Sequence, residues 1–274
     1  MKNYGNYGLK KTKEKTIHPV VDYIKFLGTA GARFVMIRQL RASGGLWVSC
    51  KGTQVLIDPG PGCLVRCARS KPKLDPAGLD AIILTHRHLD HSGDINVMIE
   101  AMTEGGFKKR GVVFCPADAL EEDPVIFRYV RGFPEHIKVI SGRQSYKTGN
   151  FEFQTSMKHI HPAETYGLKF RIGGTRVGLV SDTRYFDELP DFYGNVDILI
   201  IGVVFIKPRP EIAHLSFSEA ETLIRRIKPK KAILTHFGMS MLRSNPRVLA
   251  KELSRKIKIE VVAAEDGMCL CLSA

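Results

Sequence analysis

The chain carries the stretch His86-Arg87-His88-Leu89-Asp90-His91 directly after an apolar run at 81–84. Four ligand-type side chains fall within these six residues, and a chain with nine histidines would rarely place three of them so close together by chance. A strand that ends in a loop can direct His86 and His88 at one ion while Asp90 and His91 turn toward a neighbouring one. Neutral imidazole and carboxylate together suit Zn²⁺, with Mn²⁺ or Fe²⁺ as alternatives. The stretch therefore predicts a metal site before any fold is assumed.

Three later segments place polar side chains beside apolar runs, as the first stretch does. They are His159-Ile160-His161, Ser181-Asp182-Thr183 and Thr235-His236-Phe237. Each segment taken alone is typical of an ordinary polar loop, but the set has the character of a ligand shell. Asp58, which follows the apolar stretch 54–57, is a candidate to accept a histidine N–H and so fix the tautomer of that ring.

The order of elements predicts two sheets flanked by helices. Apolar stretches at 54–57, 81–85, 112–115, 137–140, 197–201 and 232–234 read as strands, and Gly173-Gly174 predicts a hairpin between 168–172 and 176–180. Helical spacing follows Ile95, and a capping box at Ser216–Glu219 begins another helix. The last segments, 257–262 and 268–272, are predicted as strands joined by a turn at Asp266-Gly267. The metal ions are expected where the two β-rich halves meet.

The motif His86-x-His88-x-Asp90-His91, followed in order by His161, Asp182 and His236, resembles the metallo-β-lactamase fold superfamily. The resemblance covers about residues 26 to 272, nearly the whole chain. It implies the α/β class with a four-layer αββα sandwich. It also implies that His86, His88 and His161 bind one metal, that Asp90, His91 and His236 bind the other, and that Asp182 bridges them. His159 is the alternative to His161, because both side chains point the same way if that segment is extended.

The segment Ala213-His214-Leu215-Ser216, which precedes a predicted helix, looks like the ribonuclease Z and cyclic-phosphate phosphodiesterase branch of that superfamily. That resemblance implies that His214 contacts the scissile phosphate and does not bind a metal. The stretch between His161 and Asp182 is too short for the long tRNA-gripping arm of many ribonuclease Z proteins. The pair Cys63 and Cys67 has no cysteine or histidine partner in sequence that would complete the extra zinc site of some small phosphodiesterases.

The function expected from these residues is a dinuclear metal-dependent phosphodiesterase. Two ions can share a hydroxide that attacks phosphorus, because each ion lowers the pKa of bound water. Asp90 would orient this nucleophile, and His214 would stabilise the transition state or assist the leaving oxygen. Arg87 and Lys169 are weaker candidates for binding the substrate anion. Hydrolysis of a lactone or thioester on the same site is one alternative, and a non-catalytic nucleic-acid-binding protein is another.

Composition sets the expected partners and compartment. The net charge of +13 favours a small anionic or phosphodiester substrate, with nucleic acid as a further possibility. Membrane attachment is not expected, because no apolar run approaches the ~20 residues of a membrane span. The six scattered cysteines and the lack of an apolar signal segment favour the cytoplasm. Residues 1–20 are predicted to be a basic arm, either disordered or packed in part on the domain, and residues 21–274 a single hydrolase domain. The sequence leaves the oligomeric state open, a homodimer included.

Overall fold

The computed structural model describes residues 21–31, 33–121 and 123–272. The basic arm predicted for residues 1–20 lies outside the described residues. Fourteen strands form two sheets of seven strands each within the described part of the chain.

The first sheet holds the strands of the N-terminal half and one strand from the C-terminus. Its strand order is β14-β1-β2-β3-β4-β5-β6. Neighbours from β14 to β3 run antiparallel, whereas β3, β4, β5 and β6 run parallel, so the last four strands end at one edge of the sheet. The strands are β1 (Asp22–Phe26), β2 (Leu46–Cys50), β3 (Thr53–Ile57), β4 (Ala81–Ile83), β5 (Val112–Cys115), β6 (His136–Val139) and β14 (Cys269–Leu272).

The second sheet has the order β13-β12-β11-β10-β9-β8-β7. Strands β10 to β13 are parallel, and β7 to β10 form an antiparallel meander. The predicted hairpin at Gly173-Gly174 is present, with Ile172 paired to Thr175. The strands are β7 (Ser145–Thr148), β8 (Phe151–Lys158), β9 (Tyr166–Ile172), β10 (Thr175–Val180), β11 (Ile198–Gly202), β12 (Lys231–Thr235) and β13 (Glu260–Ala263).

Helices cover the outer face of each sheet. The core between the sheets is built from both of them, for example Val48 and Ile57 from the first and Phe153 and Leu168 from the second. Separate apolar clusters join each outer face to its own helices. This is the predicted αββα sandwich. The helices are α1 (Phe34–Ile37), α2 (Cys63–Arg69), α3 (Leu89–Ser92), α4 (Ile95–Met102), α5 (Leu189–Phe192), α6 (Phe217–Ile227), α7 (Met239–Arg243) and α8 (Pro246–Ile257).

Local sequence explains the best-defined helix, α6. The Ser216 side chain caps the backbone N–H of Glu219, and the Glu219 carboxylate accepts the backbone N–H of Ser216, which completes the predicted capping box. Ala220, Leu223 and Ile224 then form a buried stripe against the second sheet. This cap fixes the start of α6, and with it the segment that carries His214.

The prediction for the C-terminus was wrong in one respect. The stretch 257–262 begins as the last turn of α8, and only its second half is strand. Strands β13 and β14 do not form a hairpin, because β13 lies at an edge of the second sheet and β14 at an edge of the first. The turn at Asp266-Gly267 therefore carries the chain from one sheet to the other.

Candidate metal centre

The predicted ligands converge at one rim, where strands of both sheets end. His86, His88, Asp90 and His91 follow β4, and Asp182 and His236 follow the parallel strands β10 and β12. His161 lies in the connection from β8 to β9. Parallel strands deliver their C-terminal loops to the same edge, which explains why residues far apart in sequence meet here.

The first group of potential ligands consists of His86, His88, His161 and Asp182, whose donor atoms all lie within 4.8 Å of one another. His161 Nε2 lies 2.9 Å from His88 Nδ1, and His86 Nε2 lies 3.6 Å from Asp182 Oδ2. Three imidazoles and one carboxylate around a single point are a donor set that suits Zn²⁺ and related divalent ions.

The second group consists of Asp90, His91, Asp182 and His236, again with donor atoms within 4.8 Å of one another. His236 Nε2 lies 2.9 Å from His91 Nε2 and 3.2 Å from Asp90 Oδ2. Asp182 belongs to both groups and lies between them, with Oδ2 3.5 Å from His91 Nε2 and Oδ1 3.5 Å from His236 Nδ1. The arrangement has room for two cations that share one carboxylate.

Unpartnered buried atoms test whether these groups fit metal ions. His86 Nε2 and Asp182 Oδ2 are buried and have no hydrogen-bond partner among the described residues. An unsatisfied buried polar atom costs about 1–3 kcal/mol, more if it is charged. A divalent cation among these atoms would remove that penalty, so the donor set fits.

The pKa shifts of the histidines agree with this fit. Burial lowers the pKa of His86 and His88, and it lowers the pKa of His161 to about 4, so these rings are neutral and can act as ligands. Burial acts in the same direction on His91, but the Asp90, Asp58 and Asp182 carboxylates raise its pKa well above the usual value. Carboxylates that favour a proton at this position also favour a metal cation there.

Two glycines allow the backbone to pass close behind the second group. A Cβ atom at Gly31 would overlap the carbonyl oxygen of His236, and one at Gly60 would overlap the carbonyl oxygens of Ser43 and Asp90. Any other residue would push these ligand segments away, so both positions require glycine for close approach.

One carboxylate orients a histidine in each group. Asp58, in the left-handed conformation with φ 56°, accepts hydrogen bonds from the Thr85 N–H, the Thr85 hydroxyl and His91 Nδ1 at 2.7, 2.8 and 2.9 Å. Because the Thr85 proton goes to Asp58, its oxygen accepts the Nδ1–H of His86 at 3.1 Å. In both rings Nδ1 is therefore engaged away from the centre, and Nε2 is the nitrogen left to face it. The sequence predicted the histidine contact of Asp58 but missed Thr85, for which the only signal was its place directly before His86.

Replacement of Asp58 by alanine should lower metal affinity about 10- to 100-fold, because the tautomers of His86 and His91 are no longer fixed. Competition with a fluorescent zinc chelator measures this affinity. Asp75→Ala is the matched control, because Asp75 caps only the exposed turn at Ala77. Equal metal affinity in Asp58→Ala and wild type would contradict the orienting role.

His214 lies against the centre without belonging to either ligand group. Its Nδ1 is 3.5 Å from Asp182 Oδ2, and its ring centroid is 5.2 Å from that of His161 and 6.0 Å from that of His236. Burial alone would lower the pKa of His214, but Asp182 and Asp90 raise it above its usual value. A protonated imidazole at this position can donate to a bound anion.

The structure places His161, and not His159, in the first group. The His161 ring is held by a hydrogen bond from Nδ1 to the carbonyl oxygen of Ala213, 2.9 Å long. His159 is buried behind the centre, where its Nδ1 lies 3.2 Å from the carbonyl oxygen of Asp182. His159 therefore supports the backbone of the shared carboxylate and belongs to neither ligand group.

The weaker sequence candidates lie outside the ligand groups. Arg87 pairs with Asp118 at 3.4 Å, and Lys169 donates to the carbonyl oxygen of Phe192 at 2.9 Å. Cys63 and Cys67 are buried in the apolar cluster between the first sheet and its helices. None of these four residues belongs to either ligand group.

Comparison with protein families gives a match to the model described as "Beta-lactamase superfamily domain" over residues 53–237, a range that starts at β3 and ends just after His236. A protein of Methanocaldococcus jannaschii is 31% identical over 255 residues, which are 89% of this chain and 93% of the relative. The Bacillus subtilis "probable metallo-hydrolase YhfI" is 28% identical over 69% of this chain and 77% of its own. Ribonuclease Z of Clostridioides difficile is 22% identical over 73% of this chain and 84% of its own.

Solved structures show the same fold. The crystal structure of YhfI from Bacillus subtilis has a TM-score of 0.75 at 23% identity, and the likeness covers 92% of this chain and all of that one (100%). The structure of human tRNase Z, short form, has a TM-score of 0.70 at 17% identity, and the likeness covers 92% of this chain and 100% of that one. The structure of a diphosphatase from the PhnP family has a TM-score of 0.67 at 18% identity, and the likeness covers 92% of this chain and 97% of that one. At these identities the likeness establishes the αββα architecture.

Proposed function

This chain belongs to the metallo-β-lactamase superfamily, near the ribonuclease Z branch, and from that membership we propose that it is a dinuclear metal-dependent phosphodiesterase. One observation carries the proposal: two His/Asp groups at one rim share the buried carboxylate of Asp182, and His214 lies beside it. We place the whole activity in a single domain, residues 21–274, because both sheets contribute to one core and both supply ligands.

We propose zinc as the resident metal, with manganese or iron as alternatives. One ion would be held by His86, His88 and His161, and the other by Asp90, His91 and His236. Asp182 would serve both positions. Ions bound there would supply Lewis acidity and lower the pKa of a coordinated water. The imidazoles support this choice of metal, since Mg²⁺ and Ca²⁺ prefer oxygen ligands.

The remaining chemistry belongs to the side chains around the ions. Burial alone would raise the pKa of Asp90, but His91 and His236 hold it well below the usual range, so Asp90 is ionised and can accept a hydrogen bond from the attacking water. His214, when protonated, donates to a phosphate oxygen or to the leaving oxygen. Asp58 and Thr85 keep His91 and His86 in the orientation that this arrangement needs.

Relatives support phosphorus chemistry over carbon-centred hydrolysis. Ribonuclease Z of Clostridioides difficile and the PhnP-family diphosphatase carry names that refer to the cleavage of phosphate esters or anhydrides. The charge of +13 suits an anionic substrate as well, nucleic acid included. No described helix has both the length and the apolar character needed to cross a bilayer.

The proposal is tested by metal analysis and a substrate screen of the full chain. Wild-type protein reconstituted with Zn²⁺ or Mn²⁺ should bind about two ions per chain and hydrolyse bis(p-nitrophenyl) phosphate, and chelation should abolish turnover. His88→Ala removes a ligand of the first group, so it should lose at least one ion and almost all activity. A His88→Ala variant with full metal content would overturn the assignment of the first group. A screen in which lactones or thioesters, but no phosphodiesters, are hydrolysed would overturn the substrate class.

A further inference from the structure

The connection from β11 to α6 carries a cationic segment that the proposed chemistry does not use. Residues 207–211 read Lys-Pro-Arg-Pro-Glu, and all five are exposed. Proline fixes its own φ and drives the preceding residue toward an extended backbone. Lys207 and Arg209 each precede a proline, so the backbone that presents them is stiff, and little entropy is lost when a ligand binds.

Both ends of this segment are attached to the metal centre or to the helix behind it. On one side, Phe205 forms a β-bridge with Ser216, and its carbonyl oxygen accepts the backbone N–H of Phe217 at 2.7 Å. On the other side, the carbonyl oxygen of Ala213 accepts a hydrogen bond from His161 Nδ1. The segment therefore keeps a fixed position relative to the metal ligands.

Arg209 is linked to the centre through two neighbouring rings, those of Phe205 and His214. Its guanidinium carbon lies 4.8 Å from the centroid of the Phe205 ring, a cation–π distance. The Phe205 centroid is 6.4 Å from that of His214, and His214 Nδ1 is 3.5 Å from Asp182 Oδ2. Arg209 thus lies two rings away from the carboxylate that the two ligand groups share.

The charge of Arg209 has no counter-ion in the part of the chain that the structure describes. Ion pairs among the described residues involve several other arginines, but none involves Arg209 (the paired ones include Arg87, Arg176, Arg225, Arg226 and Arg247). The Phe205 ring over which the guanidinium lies has no conventional hydrogen-bond acceptor, so this cation–π contact does not use up the N–H donors of Arg209. Planar donors of this kind bind phosphate in a bidentate manner.

We propose that Arg209 determines specificity by binding a second phosphoryl group of the substrate, next to the one that is cleaved. The inference rests on the proposed function and names its substrate class. The preferred substrates are phosphodiesters that carry a further phosphate, as in a nucleotide chain, and not cyclic mononucleotides or lactones. Phe205 positions the guanidinium, and the two prolines hold the backbone that presents it. Arg209 is a binding residue, so its loss affects substrate affinity more than turnover.

The direct test is calorimetric binding of two probes to the metal-reconstituted full chain, adenosine 3′,5′-bisphosphate and adenosine 3′-monophosphate. Wild type should bind the bisphosphate about 10- to 100-fold more tightly, the usual range for charge-assisted hydrogen bonds. Arg209→Gln should abolish this preference and leave monophosphate binding and metal content unchanged. Phe205→Leu, which keeps an apolar side chain but removes the ring, should reduce the preference partially.

Two further arginine variants separate a specific effect from a general loss of positive charge. Arg184→Gln removes an exposed arginine two residues after Asp182, and Arg255→Gln removes an exposed arginine on α8. Both variants should keep the wild-type preference for the bisphosphate. The assignment would be overturned if Arg209→Gln kept the preference for the bisphosphate, or if Arg184→Gln lost that preference equally. Equal binding of the two probes by wild type would also overturn it.

Kinetics distinguish this inference from the proposed function. The substrates are a dinucleotide with a 5′-terminal phosphate and the same dinucleotide without it. For the phosphorylated dinucleotide, Arg209→Gln should raise KM about 10- to 100-fold and leave kcat nearly unchanged. For the unphosphorylated dinucleotide, both KM and kcat should stay close to the wild-type values. If wild type prefers the bisphosphate but cleaves no phosphodiester, the phosphate site stands and the proposed function fails. If wild type cleaves both dinucleotides and Arg209→Gln behaves as wild type in both assays, the proposed function stands and the role of Arg209 fails.

Discussion

Asp182→Asn should lose both metal ions and lower phosphodiester hydrolysis about 1,000-fold or more. The carboxylate of Asp182 is the only member that the two ligand groups have in common, and the substitution removes its charge while keeping its size. Its Oδ2 lies near one histidine of each group, 3.6 Å from His86 Nε2 and 3.5 Å from His91 Nε2. An amide would leave the cations in a buried site with less negative charge to balance them. Elemental analysis and steady-state kinetics measure the two losses.

Asp187→Asn is the matched control for this variant. Asp187 lies five residues later in the chain, and its side chain is 91% exposed. It should keep wild-type metal content and activity. An Asp182→Asn protein that still binds two ions would show that the two groups do not depend on a shared carboxylate, and the role assigned to Asp182 would fail.

His214→Ala should lower phosphodiester turnover about 100- to 10,000-fold, the range for loss of a general acid, while metal content stays at the wild-type level. His214 belongs to neither ligand group, but it lies 3.5 Å from Asp182 Oδ2 and close to the ring of His161. Its position lets it act on a substrate held at the ions. A lactone or thioester, if the protein hydrolyses one, should be affected far less, so the ratio of the two activities identifies the role.

His136→Ala provides the control, because His136 is an exposed histidine on β6. It should behave as wild type with every substrate. Loss of metal in His214→Ala would make His214 a ligand, and an unchanged phosphodiester rate would remove it from the mechanism.

Local signals in the sequence were enough to predict two sheets flanked by helices and a metal site after the second apolar run, whereas the division of the ligands into two groups came from the resemblance to a known superfamily. The stretch from His86 to His91 concentrates four ligand-type residues directly after a strand, and few structures other than a metal site require that. Strand and helix patterns were recognisable where apolar residues or turn residues were regular, as in the hairpin at Gly173-Gly174 and the cap at Ser216. The C-terminal segments were harder, because the end of α8 and the strand after it form one continuous apolar pattern.

The alternative between His159 and His161 shows where sequence reasoning ends. Alternation along an extended strand would place both rings on the same side. However, β8 ends at Lys158, so the two histidines lie in a loop where that rule does not apply. The tertiary structure separates them: the His161 ring contacts the carbonyl oxygen of Ala213, in the connection from β11 to α6, and the His159 ring contacts the backbone carbonyl of Asp182.

The sequence by itself determined which residue types were available, in which order, and after which strands. Only the tertiary structure decided that Thr85 links His86 to Asp58, that His214 lies beside Asp182, and that the guanidinium of Arg209 lies over the Phe205 ring. The physical reason is the range of the interactions. Propensity and periodicity act over a few neighbouring residues, whereas these contacts arise where two packed sheets bring the ends of distant strands to a common rim.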